Sequence, residues 1–497
     1  MTAQSDIAAG YASAGAAVEL GAVLVDGVVE PTARVRLPLA TLNRHGLVAG
    51  ATGTGKTKTL QLVAEQLSAA GVPVVLADVK GDLSGLAREG EPNDRVTARA
   101  AETGDDWRPA ACPVDFLSLG DGGAGVPVRA TITSFGPILL AKVLGLNETQ
   151  ESTLGLIFHW ADARGLALLD TKDLRAVITH LTGEGRDELK GLGGVSPATA
   201  GVILRALVNL EARGGDTFFG EPELDPRDLM RTADGHGVVT LLELAETQAR
   251  PALFSTFLMW LLAELFQVLP EAGDLDKPKL VFFFDEAHLL FAGASKAFKE
   301  QITQTVKLIR SKGVGVFFCT QLPTDVPNEV LSQLGARVQH AVRAFTPEDQ
   351  AALAKVVKTY PTTPHYRLGE ALTSLGIGEA VVTVLDERGV PTPVAWTRLR
   401  APRSLMGAIG VDAVGRAAES SVLHGKYAET VDRESAYERL SAKVAPPPAD
   451  EPRRAEEPGL VEKVLDNSAV KSFLRSAASA LGREVTRGIF GTSRKRR

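Results

Sequence analysis

The 497-residue chain holds only two cysteines, Cys112 and Cys319, far apart in sequence. Two such thiols build neither a disulfide framework nor a zinc cluster, so a reducing, cytoplasmic location is the expectation. A basic excess is missing too. Lys and Arg total 54 against 60 Asp and Glu, a formal net charge of −6. This excludes a protein that coats nucleic acid or anionic membrane with its whole surface, and leaves room for a local basic channel. The N-terminal residues are rich in Ala and Gly, lack a basic n-region and carry Asp6 and Glu19, so they do not read as a signal peptide. Long hydrophobic runs are scarce. The most apolar one, residues 253–269, is interrupted by Glu264, is short for a membrane span and reads as a buried helix. No internal repeat is found. What remains is an ordinary globular composition, 44% hydrophobic and 23% charged, in a chain long enough for two or three domains.

The chain is organised around one stretch. Gly50-Ala51-Thr52-Gly53-Thr54-Gly55-Lys56-Thr57 matches G-x-x-x-x-G-K-[ST], a phosphate-binding P-loop. Glycines let the backbone curl until successive N–H groups face phosphate oxygens. Lys56 is spaced to reach the β- and γ-phosphates, and Thr57 offers a hydroxyl to Mg²⁺. Lys58 and Asp78 join these residues as candidate nucleotide contacts. The flanks agree. Residues 46–49 read as a short buried strand. Residues 59–70 read as a helix with Leu60, Val63, Ala64 and Leu67 on one face. A helix N-terminus then lies beneath the phosphates.

Ahead of the loop, residues 18–25 and 33–37 around Asp26-Gly27 read as a hairpin, making 1–40 a short β element. Residues 72–77 form a second buried strand ending at Asp78, on the carboxyl edge where open α/β sheets bind ligands. Residues 88–110 are polar and read as a loop; 114–119 and 126–133 read as strands. From about 137 to 235 the pattern is helical, an insertion in an α/β core. Asn147 with Gln150 forms a capping box, and Ser196-Pro197 starts another helix. Residues 238–242 resume the strands, and a long helix is expected from 247 to 269. Residues 280–284 are apolar throughout, as suits a central parallel strand. A helix over 296–312 leads to strands at 314–320 and 338–342. Thr346-Pro347-Glu348-Asp349 caps a helix, and 378–385 with 390–399 read as a closing hairpin.

The core is thus expected over 41–400, a helical extension over 401–442 and a Pro- and charge-rich linker over 443–458. Residues 459–497 read as a basic amphipathic helix and tail. Val470, Leu474, Ala477, Leu481 and Val485 recur at helical spacing, opposite Lys471, Arg475, Arg483 and Arg487. Such a helix suits an anionic surface, or packs on its own or a neighbouring subunit.

Hydrolysis needs more than a P-loop: a carboxylate to hold Mg²⁺ and a group to activate water. Phe284-Asp285-Glu286-Ala287-His288, at the mouth of the apolar strand, supplies both. Asp285 would hold Mg²⁺ through its water shell, and Glu286 would polarise the water. Gln321, ending the next strand, is placed to sense the γ-phosphate, while His288 reads as structural.

Arg44-His45, Asp78-Val79-Lys80-Gly81-Asp82, the Asp285-Glu286-Ala287-His288 box and Cys319-Thr320-Gln321 together resemble the HerA–FtsK superfamily of P-loop motors. Phe135-Gly136-Pro137 and Leu146-Asn147-Glu148-Thr149-Gln150 extend the likeness to the YjgR-like bacterial branch of HerA-type ATPases, over residues 18 to 440 or so. The resemblance implies an α/β fold with a RecA-like (ASCE) core, a mainly parallel sheet and ATP with Mg²⁺. It also implies a ring, usually hexameric, around double-stranded DNA, with an arginine from one subunit reaching the neighbour's γ-phosphate. Arg44 stands at the matching place; Arg310 and Arg343 are further candidates. Archaeal members carry a full β-barrel ahead of the motif, where this chain has residues 1–40, so the resemblance leaves the barrel's nuclease partner open. The expected function is an ATP-hydrolysing motor that moves or remodels double-stranded DNA. The alternative is an ATP-driven switch or scaffold acting on a protein partner that the sequence does not identify. A coupling ATPase at a secretion channel is disfavoured by the want of a membrane span.

Overall fold

The computed structural model describes residues 2–444 apart from 79–80, 213, 244–250, 274 and 292–293. Most of the expected linker and all of the basic C-terminal helix, at 445–497, lie outside the described residues.

The chain opens with helix α1 (Ala3–Ala9) and a hairpin of β1 (Ala17–Val25) and β2 (Val28–Pro38). Asp26 (φ 52°) and Gly27 (φ 78°) form its two-residue turn, a left-handed pair that matches strand twist. Next come β3 (Gly46–Ala49), α2 (Lys56–Ala69), β4 (Val74–Asp78), α3 (Asp94–Thr103), β5 (Val114–Leu119) and β6 (Val126–Val128). Four helices follow: α4 (Ile132–Leu144), α5 (Glu148–Ala163), α6 (Thr171–Thr182) and α7 (Pro197–Glu211). Two short strands, β7 (Thr232–Ala233) and β8 (His236–Gly237), precede β9 (Val239–Glu243) and α8 (Pro251–Val268). Then β10 (Leu280–Phe284) leads through α9 (His288–Phe291) and α10 (Lys296–Ile309) to β11 (Val314–Thr320). After α11 (Asn328–Leu331) come β12 (Ala336–Gln339), α12 (Pro347–Val357), α13 (Leu368–Ser374), β13 (Glu379–Thr383) and β14 (Ala395–Leu399). Helices α14 (Val411–Ser420), α15 (His424–Tyr427) and α16 (Ala436–Val444) close the described chain.

One sheet carries this architecture, in the order β2-β1-β14-β13-β12-β3-β11-β10-β4-β9-β5-β6. From β12 to β6 neighbouring strands run parallel; from β12 to β2 they run antiparallel. The strand Leu-Val-Phe-Phe-Phe explains the middle. A strand flanked on both faces must be apolar at every position. Phe282 and Phe284 enter the core on one face with Phe318, and Val281 and Phe283 enter the other with Phe317 and the α2 residues Leu60, Val63 and Leu67. Each phenylalanine so buried contributes about 1.5–3 kcal/mol of transfer free energy. The chain's few aromatics are concentrated here and in the helical layer, where Phe135, Phe218, Phe219, Phe257 and Trp260 touch in series. Helix α16 folds back on α6, with the Tyr437 N–H and the Ser435 hydroxyl both donating to Asp173.

The structure departs clearly from sequence expectation at 94–103 and at 126–133. Residues 94–103 are helical rather than a loop. Asn93 caps them by accepting from the N–H groups of Arg95 and Val96, and Gly104 ends them at φ 61°. The helix buries little of itself, so apolar periodicity could not reveal it; its caps could have. The strand expected at 126–133 stops at Val128, because Thr131 accepts from the Ser134 N–H and turns the chain into α4. Helix α4 itself is broken at Gly136-Pro137, where Gly136 takes φ 75°. Of the helix expected over 247–269, residues 247–250 lie outside the described residues, and α8 covers Pro251–Val268.

Candidate functional site

The P-loop leaves β3 between β11 and β12. The Gly50 N–H donates to Thr320 O (3.2 Å) on one side, and the Ala51 N–H to Ala341 O (2.8 Å) on the other. Gly50 takes φ 153°, and a Cβ there would sit 2.5 Å from the Cβ of His340, so only glycine fits. Gly55, at φ 114°, precedes α2 with no side-chain cap; the first-turn N–H groups are thus available to an anion. Lys56 Nζ donates to Gly50 O (2.6 Å) and Ala51 O (3.2 Å), folding back over the loop it belongs to. Thr54 Oγ1 donates to Ala51 O at 2.7 Å and tightens the same curl.

Asp285 and Glu286 follow β10, two strands from β3. Asp285 Oδ1 accepts from the Glu286 N–H at 2.9 Å. Burial, then the neighbouring Glu286 charge, raises the Asp285 pKa, while Lys56 pulls it the other way. A carboxylate held in this way gains from a cation. Glu286 has φ 48°, a left-handed conformation that costs a non-glycine residue about 1–2 kcal/mol. Neighbouring hydrogen bonds impose it: Ala287 N–H to Cys319 O (2.8 Å) and Leu289 N–H to Glu286 O (2.9 Å). Glu286 Oε2 is buried without a hydrogen bond; His288 Nδ1 lies 3.4 Å from it. The donor set suits Mg²⁺, a hard cation that prefers oxygen ligands: the loop's Thr57 and Asp285, beside the Glu286 carboxylate. Gln321 is exposed at the carboxyl end of β11, next to Gly50.

The other candidates lie partly beside this site and partly at the opposite edge of the sheet. Asp78 is buried and its Oδ2 accepts the Leu83 N–H at 3.0 Å, tying Leu83 to the end of β4. Lys58 donates to Gln61 Oε1 at 3.2 Å, with Asp82 and Asp78 close enough to favour its charge against burial. Arg44 precedes β3, so the length of that strand, about 13 Å, separates it from the P-loop of its own chain. Its guanidinium lies against Gly389. Arg310, exposed before β11, is on the same amino edge. Arg343 stands at the carboxyl edge instead, donating through Nη2 to Thr52 O at 3.3 Å.

Glu243 and His340 escaped the sequence reading, and His45 entered it only as part of a motif, with no role given. Glu243 ends β9 in register with Asp78, and burial followed by the Asp78 charge raises its pKa. The signal was present, a carboxylate directly after a strand. His340 gave no local signal, and nothing local showed what His45 contacts. His45, at φ 60°, has Nε2 2.7 Å from Val306 O while Nδ1 accepts the Val316 N–H at 3.0 Å. It thereby ties β3 to α10 and β11. His340 Nε2 lies 2.9 Å from Thr59 Oγ1, fastening the first turn of α2.

Burial lowers both imidazoles to about 4. Arg310 adds to this at His45 against the Val306 carbonyl, and Lys56 adds at His340 against backbone groups of Thr54 and Glu379. A histidine depressed below its unfolded value near 6.5 stabilises the fold fully above that value, and loses the contribution as pH falls towards 4. The loss is of the order of 3 kcal/mol per residue at most. His45→Gln and His340→Asn are therefore expected to flatten the fall in melting temperature between about pH 7 and pH 4.5 relative to wild type. Parallel curves for variants and wild type refute this.

The site thus has a curled, glycine-dependent loop at a helix N-terminus facing two carboxylates across one intervening strand. Residues 26–458 match the family model of the HerA-like helicase C-terminal region. The chain belongs to that family. It is a P-loop ATPase of the HerA type, with a RecA-like core. Solved structures agree in fold. The bacterial conjugative coupling protein TrwB is 16% identical over 82% of this chain and 95% of its own, with a TM-score of 0.52 in one crystal form and 0.51 in another. VirB4 of Thermoanaerobacter pseudethanolicus is 13% identical over 78% of this chain and 98% of its own, at a TM-score of 0.50. A comparison with curated proteins found no match. Among the described residues no single helix is long and apolar enough to cross a membrane, although one bent pair passes by length and composition.

Proposed function

We propose that this HerA-type ATPase works as a ring, hexameric by family likeness, that hydrolyses ATP to translocate or remodel double-stranded DNA. The observation that carries hydrolysis is the Glu286 carboxylate oxygen beside Asp285, buried without a hydrogen bond, 3.4 Å from His288 Nδ1, and one strand (β11) away from the P-loop strand. Lys56 and the loop N–H groups hold the β- and γ-phosphates. Thr57 and Asp285 would hold Mg²⁺, which supplies charge neutralisation to the phosphates when bound. Glu286 takes a proton from the attacking water, and Gln321 reads the γ-phosphate. TrwB, a plasmid coupling protein, has been solved with the GTP analogue GDPNP, which supports a nucleotide in this loop. Arg44 lies a strand's length from the P-loop of its own chain, which favours action on a neighbour's nucleotide. The acidic net charge favours a second reading, a switch or scaffold for a protein partner.

The measurement that separates them is the ATPase rate with and without long duplex DNA across a salt series. A DNA motor is expected to be stimulated by the duplex at low salt, with the stimulation falling as counterions compete for phosphate contacts. A rate indifferent to DNA at every salt concentration overturns the motor and leaves the switch.

A further inference from the structure

Among the described residues, the two most exposed large hydrophobic side chains are Phe345, 85% exposed, and Ile377, 76% exposed. Scattered apolar residues are normal on a surface, but these two flank one loop. Phe345 follows the segment in which Ala341 O accepts the Ala51 N–H and Arg343 reaches Thr52 O. Ile377 precedes Gly378, whose N–H donates to Thr54 O at 3.3 Å. Both lie on the β12–β13 side of the P-loop. The carboxylates Asp285 and Glu286 lie on the other side, beyond β11. A triphosphate has a direction. Its γ end must face the carboxylates that act on it, so the α-phosphate and the nucleoside leave towards β12 and β13.

We propose that Phe345 and Ile377 are the walls of an apolar clamp for the purine base of the bound nucleotide. This rests on the ATPase reading and adds the residues that hold the nucleoside. A purine has two apolar faces, so an aromatic ring and a branched aliphatic side chain can take one each. Neither residue touches the phosphates, so the clamp tightens binding without entering the chemistry.

The test is calorimetric titration of the full-length protein with Mg-ATP and with inorganic tripolyphosphate, which carries the same phosphates and no base. Phe345→Ala is expected to weaken ATP about tenfold, the usual scale of one lost base–aromatic stack. KM should rise with it while kcat stays, and tripolyphosphate should bind as in wild type. Ile377→Ala should act in the same direction, and Phe345→Trp should restore affinity. Lys56→Ala should weaken both ligands, which reports on the phosphate site alone. Three results overturn the clamp and leave the phosphate reading standing: ATP affinity unchanged in both alanine variants, tripolyphosphate weakened equally with ATP, or wild type binding tripolyphosphate as tightly as ATP. Unchanged ATP affinity with loss of assembly by sedimentation would assign the pair to contact with another copy instead. Failure of wild type to bind either ligand removes the clamp and the ATPase reading together.

Discussion

Glu286→Gln is expected to retain ATP and lose turnover, with kcat falling about 10²–10⁴-fold, the range of a positioned general base. The argument has three parts. Glutamine keeps the size and planar shape of glutamate, so the left-handed turn at φ 48° and the bonds around it survive. On the proposed reading the phosphates are held by Lys56 and the loop N–H groups, which the substitution leaves in place. What changes is Oε2, a buried oxygen without a hydrogen-bond partner; as an amide the side chain no longer accepts a proton from water. Phosphate release under steady-state conditions and equilibrium binding of ATP measure the two halves separately. Lys56→Ala should differ by weakening binding as well, because it removes a charge-assisted contact to the phosphates. Turnover at the wild-type level in the glutamine variant would remove Glu286 from the role of base.

Arg44→Ala is expected to cost about 10³–10⁵-fold in kcat, the scale of an arginine that compensates charge in phosphoryl transfer. Charge spreads over the γ-phosphoryl oxygens, and an arginine grips them in a fork that stays charged. Arg44 lies at the amino edge of the sheet, on the far side of β3 from its own loop. A head-to-tail ring is the arrangement that lets it serve a neighbour. Mixing makes this testable. Arg44→Ala and Glu286→Gln subunits, each nearly inactive alone, should regain part of their activity together, because some interfaces then pair an intact Arg44 with an intact Glu286. Activity that stays at the level of the separate variants, in rings shown to co-assemble, excludes action in trans. A monomer with full activity excludes the ring itself and favours the switch. Arg310 shares the amino edge, so Arg310→Ala in the same mixing design shows which of the two acts.

The candidate nucleotide site was legible in the sequence because the chemistry proposed for it is local. Phosphate binding needs consecutive N–H groups in one curl, so Gly50 to Thr57 must be contiguous. An apolar strand ending in two carboxylates, Phe284-Asp285-Glu286, announces itself in the same way. The buried run at 280–284 also showed that the sheet is parallel there, since only a strand covered on both faces can be apolar at every position. Caps were legible where they coincide with apolar periodicity, as at Asn147 and Thr346. The helix at 94–103 was not, because it buries too little to leave a period.

Strand order is what the tertiary structure alone decided, and with it every contact between distant segments. His340 meets the P-loop from 290 residues away because β12 lies beside β3. His45 joins Val306 and Val316 because β11 lies on the other side. The same order sets Asp78 level with Glu243, places Arg343, Phe345 and Ile377 on the flank of the loop away from the carboxylates, and leaves Arg44 and Arg310 on the opposite edge. A parallel sheet separates neighbours in space by whole crossovers in sequence. The motif could therefore state which chemistry this chain carries, and only the folded sheet could state which side chains surround it.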